Sequence, residues 1–335
     1  MPQGLIAILR RRKGTLVLLA KLLIVAAPIF YLVREGRFDL ARQVAVLREP
    51  ASLALLFLYW ALSFVALMAW RWRIVARILD LQLPIGFALK AHLAGIFLSS
   101  WLPGGIGGDL WRAYRFGALL KTSGRRTTAY LSVVLDRVVG LYVLMLVGSV
   151  CVLIEADLWF DSRFAILALL LLASCVLASA LGILSLLAPL PMPGGLKRLI
   201  AKVADRSEAA GLLLANLRSI RKNRGMLLGC LAVSVLVQVV NVLFFGHIAL
   251  LVTGEAVSFV TVSGILAIGL LVTIASMAPG GLGVGHLMFD VLFADFGLRS
   301  GADVFNVFFF VTTFFSFAGL LPYLLPETKE GRDLK

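Results

Sequence analysis

Ser100-Trp101-Leu102-Pro103-Gly104-Gly105-Ile106-Gly107 returns later in the chain as Ser276-Met277-Ala278-Pro279-Gly280-Gly281-Leu282-Gly283. Both copies interrupt strongly apolar surroundings. Proline and paired glycines end helices. In lipid the freed backbone groups find no replacement partners, so such a break needs protein cover or a polar cavity beside it. Two matching breaks in two halves of a chain point to a transport site.

The rest of the sequence supplies the surroundings. Its 335 residues are 61% hydrophobic and 15% charged, with a mean hydropathy of +0.98. That is far from globular usage, and apolar runs near the ~20 residues needed to cross a bilayer recur along it. Spans are expected at about Thr15–Val33, Ala51–Trp70, Thr128–Ile154, Phe164–Ala188, Met226–Val252 and Ala302–Leu325. Two more apolar segments, about Ile85–Trp101 and Ser258–Ala278, run into the breaks. The expected fold is an all-α integral membrane protein, a single transmembrane domain over 1–335. It has about six spanning helices plus two opposed broken or re-entrant ones.

The net charge of +14 could suggest nucleic acid. Its placement argues against that, because basic residues gather just outside the apolar runs, as the positive-inside rule requires. Arg10, Arg11, Arg12 and Lys13 put the N-terminus in the cytoplasm, and the C-terminus follows to the same side. Residues 189–225 form a basic cytoplasmic linker, whose Leu196, Leu199, Ile200, Val203, Leu213 and Leu217 have the spacing of an amphipathic helix on the membrane face. Glu155, Asp157 and Asp161 mark the outer side. The segment from Arg34 to Pro50 fits less well, with four arginines on that same side. The basic, apolar start could be a signal peptide, but its apolar run is long for one and reads as an uncleaved anchor. Cys151, Cys175 and Cys230 fall inside spans and read as small hydrophobes. The expected location is the plasma (inner) membrane.

Pro103 and Pro279 stand 279 − 103 = 176 positions apart. The same offset carries Ala51 to Leu227 and Thr128 to Val304, each near the start of a later span. Span, broken segment, span therefore recurs, over 51–154 and again over 226–325. The first trio starts outside and the second inside, which is the inverted-repeat architecture of many transporters.

Several residues could carry chemistry. A helix starting near Asp109 puts Asp109 and Arg112 on one face, with Arg115 a turn on. Its N-terminus and the glycine amides offer anion-binding donors, and arginine offers a forked phosphate ligand. Asp109 can cap that helix or pair with Arg112 until a lipid phosphate displaces it. Asp136 and Arg137 sit about nine residues into their span, roughly 13 Å deep at ~1.5 Å per residue. Each charge there costs on the order of 2.5–3.5 kcal/mol. As helical neighbours they point about 100° apart and cannot simply neutralise each other. Either they brace helices together or they contact a substrate.

Ser100, Gly104 and Gly105 at the first break, and Ser276, Gly280 and Gly281 at the second, join them as candidate headgroup ligands. His286 holds nearly the place of Asp109 and is either a ligand or an interhelical hydrogen-bonding group; His92 and Lys90 precede the first break. Gln238 and Asn241 read as glue between helices. The six tryptophans read mostly as interfacial anchors. No metal or cofactor pattern is present.

Three pieces together carry a resemblance: Pro103-Gly104-Gly105-Ile106-Gly107-Gly108-Asp109-Leu110-Trp111-Arg112, Val134-Leu135-Asp136-Arg137-Val138 and Ala278-Pro279-Gly280-Gly281-Leu282-Gly283. In that order, and over essentially the whole chain, the sequence resembles the lysylphosphatidylglycerol synthase transmembrane (flippase-like) family. The family commonly has Gly-Glu where this chain has Gly108-Asp109, an acid at the place of Gly140, and a glutamate where His286 stands. The resemblance implies two opposed re-entrant helices and movement of anionic or aminoacylated lipids between leaflets. Relatives add a soluble aminoacyltransferase domain that the 335 residues do not contain, so lipid aminoacylation by this chain alone is not expected.

The leading expectation is a lipid transporter that moves an anionic or aminoacylated phospholipid, or a polyprenyl phosphate, between leaflets. Membrane lipids are its expected partners. No phosphate-loop signature is present to support ATP drive. An integral-membrane glycosyl- or aminoacyl-transferase acting on a lipid carrier is the rival. A third possibility is a membrane anchor for a soluble lipid-modifying enzyme bound through the basic linker.

Overall fold

A computed structural model describes residues 30, 34, 48–101, 106–120, 122–187, 216, 219–278 and 281–324. The expected first span, most of the basic linker, and the break residues Gly104, Gly105 and Gly280 lie outside the described residues. Among the described residues the chain is helical and has no strand. Five of the described helices are long and apolar enough to cross a membrane.

Helix α1, Pro50–Ile78, starts with proline in its first turn, where the missing amide costs nothing. Its middle, Ala61–Leu67, is π-helical. The sequence places the end of this span at Trp70, but the helix runs on to Ile78. Arg71, Arg73 and Arg77 close the apolar window without closing the helix, because Arg71 finds a buried partner.

Helices α2 (Ile85–Trp101) and α3 (Gly107–Ala118) follow on either side of the first break. Then come α4 (Ser123–Ile154), the short α5 (Ala156–Phe160) and α6 (Ala165–Leu187). Helix α7 (Arg224–Thr253) ends on Gly254 in the left-handed region, φ 77°, where glycine avoids the Cβ penalty. Helices α8 (Phe259–Ala275) and α9 (Val284–Asp295) flank the second break, and α10 (Gly301–Ser316) continues through a 3₁₀ turn, Phe317–Leu320. Ser258 Oγ caps α8 by accepting from Thr261 N at 3.0 Å.

The two broken segments are hairpins of equal limbs, 17 residues then 12 in both cases. At ~1.5 Å per residue a 12-residue limb rises about 18 Å, short of a ~30 Å hydrocarbon core. Each second limb therefore returns along the first. In the first hairpin, His92 meets Arg112, and Ser99 Oγ accepts from Gly108 N at 3.1 Å. In the second, Gly281 abuts Thr273 and Gly269 abuts Phe289.

The hairpins leave from opposite ends of one helix pair. Helices α1 and α7 run antiparallel: Asn223 Nδ2 donates to Ile78 O at 3.1 Å, Ser63 Oγ to Asn241 Oδ1 at 2.5 Å, and the Tyr59 ring lies 6.3 Å from that of His247. The first hairpin departs beyond Ile78 and the second beyond Thr253, at the other end of that pair. Each then packs on the closing helix of the other trio. Helix α8 crosses α4 where Gly148 faces Ala267, and α2 crosses the end of α10 where Gly319 faces Leu93 and Phe97.

Without a hydrophobic drive between helices in lipid, close backbone approach at small residues is what holds such crossings. One such backbone-to-backbone approach is inside the first hairpin, where a Cβ on Gly108 would stand 2.1 Å from Gly95 O. An aromatic cluster around Phe245, Phe289, Phe305 and Phe308 fills the other half, with the rings of Phe289 and Phe305 stacked at 5.1 Å. Trp60, Trp72 and Trp159 are fully buried, not interfacial as the sequence suggests; their indoles fill space between helices, while Trp70 is exposed.

Gly108→Ala should therefore prise the first hairpin apart, lowering stability by the ~1–3 kcal/mol typical of overpacking or by more. Gly182→Ala is the control, because a Cβ there meets no atom within 4 Å. Thermal unfolding in detergent should show a lower midpoint for the former and an unchanged or higher one for the latter.

Candidate functional site

Residues beside both breaks line one cavity of about 460 Å³. Ser99, Gly108 and Asp109 line it from beside the first break, and Thr273 and Ile274 from beside the second. Its lining is divided in character. Arg71, His92, Asp109, Arg112, Asp136 and Arg137, all from α1–α4, form a charged wall. Apolar side chains line most of the remainder and come from both halves: Trp60, Phe64, Met68, Ile96, Leu141 and Leu144 from α1, α2 and α4, and Leu266, Leu270, Phe305, Phe308 and Phe309 from α8 and α10, with Gln238, Asn241, Thr312 and Thr313 among them.

The charged wall is an alternating chain. Arg71 Nε donates to Asp136 Oδ1 at 2.7 Å, and Arg112 Nη1 donates to the other oxygen of Asp136 at 3.2 Å. Arg112 Nη2 donates to Asp109 Oδ1 at 2.5 Å, and Arg137 Nη1 to Asp109 Oδ2 at 2.6 Å. The order is Arg71–Asp136–Arg112–Asp109–Arg137. It starts deep, with Asp136 only 1% exposed, and surfaces at Arg137, whose side chain is 44% exposed. Three arginines face two aspartates, so the described lining carries one excess positive charge.

The neighbours Asp136 and Arg137 do not pair with each other. They lie on different faces of α4, and each finds its partner on another helix. Arg112 is the junction: it also donates to His92 Nδ1 at 2.9 Å and lies 5.1 Å from the centre of the Trp72 ring. With Nδ1 accepting, the neutral His92 ring carries its proton on Nε2, and His92 bonds the backbone of Phe64 in the π-helical stretch. That stretch, where the helical ladder shifts register, thus touches the charged chain through His92 and α7 through Ser63.

Of the residues singled out in the sequence, Asp109, Arg112, Asp136 and Arg137 come together in the cavity wall. Ser100 is the penultimate residue of α2. Arg115 lies outside the lining, 5.6 Å from the centre of the Trp111 ring. Ser276 and Gly281 shape the second turn: Ser276 Oγ accepts from Ala278 N at 3.3 Å, and Gly281 has φ 73°. His286 is buried outside the lining. Its Nδ1 accepts from Gly283 N at 3.3 Å, capping its own helix, and its Nε2 donates to Asn306 Oδ1 of α10 at 3.0 Å.

Sequence reasoning did not single out Arg71. An arginine just past an apolar run reads as a positive-inside flank, and only the pairing across to α4 distinguishes it. Gln238 and Asn241, read as helix glue, also line the cavity. Among the described residues no cluster of His, Cys, Asp or Glu could hold a metal ion.

Taking one partner from a buried ion pair strands a charge and typically costs about 3–5 kcal/mol. Asp136→Ala should therefore lower the unfolding midpoint sharply. The pair replacement Arg71→Met with Asp136→Leu should recover part of that loss, since Arg112 still lacks its Asp136 contact but keeps Asp109, measured by thermal unfolding in the same detergent. Equal damage from the double variant would deny the pairing its structural part.

The chain belongs to the family described as lysylphosphatidylglycerol synthase TM region, whose model matches residues 18–321 of the 335. No curated protein and no solved structure is detectably similar to it. Family membership and the apolar helices together make it an integral membrane protein of membrane-lipid function.

Proposed function

We propose that this protein moves a phosphate-bearing membrane lipid, an anionic or aminoacylated phospholipid or a polyprenyl phosphate, between the two leaflets. The observation that carries the proposal is the divided cavity. A lipid is charged at one end and apolar along the rest, and the cavity gathers its charges in one cluster while mostly apolar side chains line the remainder. The headgroup would sit against Arg112 and Arg137, with the tails along Leu266, Leu270 and Phe309.

Two further features support it. Backbone breaks inside a membrane protein are tolerated where they face a polar cavity, and here residues beside both breaks line one. The antiparallel α1–α7 pair, the equal hairpin limbs and the reciprocal packing of α2 on α10 and α8 on α4 support an inverted repeat over 51–154 and 226–325. Such repeats alternate access by rocking one half against the other around a fixed midplane site. The inner membrane and cytoplasmic termini belong to the same proposal, resting on the basic flanks.

Arg137→Ala should abolish transfer of a labelled phospholipid between leaflets of reconstituted vesicles. The variant should still fold, because this side chain is the exposed end of the chain of charges. The measurement is dithionite quenching of a fluorescent lipid. A folded variant that transfers at the parent rate would remove Arg137 from the mechanism.

A further inference from the structure

We infer that the cavity selects a headgroup with one net negative charge, a phosphodiester without an amine, and that its phosphate takes over the two arginine contacts now held by Asp109. This rests on the lipid-binding reading above and narrows its substrate. The starting point is charge. Arg71, Arg112 and Arg137 against Asp109 and Asp136 leave the described lining at +1. In a medium that solvates charge poorly, the favoured complex is the one whose charges cancel. A phosphodiester monoanion brings the total to zero. A zwitterionic headgroup leaves it at +1, a lysine-bearing one raises it to +2, and a phosphomonoester dianion takes it to −1.

The second step is geometry. The two carboxylates are not equivalent. Asp136 is buried and clamped between Arg71 and Arg112. Asp109 is partly open to the cavity, with one oxygen on Arg112 and the other on Arg137. The two free oxygens of a phosphodiester can make the same two-toothed bridge, and arginine forks suit phosphate as they suit carboxylate. Asp109 also opens α3 in its first turn, so an anion arriving there meets the positive end of that helix. Asp109 is thus a resident stand-in for the headgroup. It neutralises Arg137 and Arg112 in the empty cavity and yields them when a phosphate arrives.

The test is binding to the purified full chain in nanodiscs, with leaflet transfer measured separately. Probes are phosphatidylglycerol, phosphatidylethanolamine, lysyl-phosphatidylglycerol, phosphatidic acid and the soluble phosphodiester glycerophosphoglycerol. The parent chain should bind phosphatidylglycerol at least ~10-fold more tightly than the zwitterionic or lysylated lipid, a difference of about 1.4 kcal/mol. Asp109→Asn removes the stand-in and raises the lining to +2. It should tighten phosphatidylglycerol binding severalfold and shift preference toward phosphatidic acid. Arg137→Gln, at the exposed end of the chain, brings the lining to zero and should erase the preference for anions.

Lysyl-phosphatidylglycerol binding best, and weakening in Asp109→Asn, would overturn the inference by making Asp109 a ligand for the amine. Glycerophosphoglycerol binding as tightly as the lipid would overturn it differently, marking a site for free phosphate esters. If the expected order of headgroups holds but no lipid changes leaflet, the selection stands and the transport reading fails. If lysylated lipid is transferred fastest, the transport reading stands and this inference fails.

Discussion

A chain of five alternating charges inside an apolar protein is the constraint on which the rest depends. Each isolated charge at such depth is costly, and the cost is tolerable only when donors and acceptors meet in good geometry. Four helices must therefore be held in fixed register: α1 for Arg71, α3 for Asp109 and Arg112, α4 for Asp136 and Arg137, and α2 for His92. The glycine contact between Gly95 and Gly108 lets α2 and α3 come close enough, and the buried indole of Trp72 backs Arg112. The first hairpin is thus a device for carrying two charged residues into the membrane and pairing them there.

The second hairpin is built alike and furnished differently. Its limbs have the same lengths, and its turn uses the same Pro-Gly-Gly device. Beside the first break the lining residues are ionic, Asp109 and Arg112; beside the second they are Thr273 and Ile274, with His286 turned to Gly283 and Asn306. The charges of the described lining all come from the first half of the molecule, while both halves supply aromatic and aliphatic side chains. On the proposed function, a single amphipathic guest would use both the charged cluster and the apolar lining around it.

Much of this was legible in the sequence because membranes leave few options. Proline with paired glycines in an apolar run has to be a break, and Asp136 and Arg137 inside a span have to find partners. What could not be read were the long-range choices. Arg71 follows an apolar window, where basic residues are commonplace, and its burial depends on the helix continuing beyond Trp70. The π-helical stretch at Ala61–Leu67 has no sequence signature and changes the facing of every residue after it. His286 occupies the counterpart of Asp109 by position, yet its role is set by Asn306, twenty residues away on another helix. Trp60, Trp72 and Trp159 look interfacial by position and are packed by neighbours that only the fold brings near.

The most direct measurement is a cryo-electron microscopy structure of the full chain in nanodiscs of phosphatidylglycerol. Phosphate density bridging Arg112 and Arg137, with acyl density running toward Leu266 and Leu270, is the expected result. A cavity holding only water, with ordered lipid confined to the outer belt and Asp109 still spanning both arginines, would contradict it.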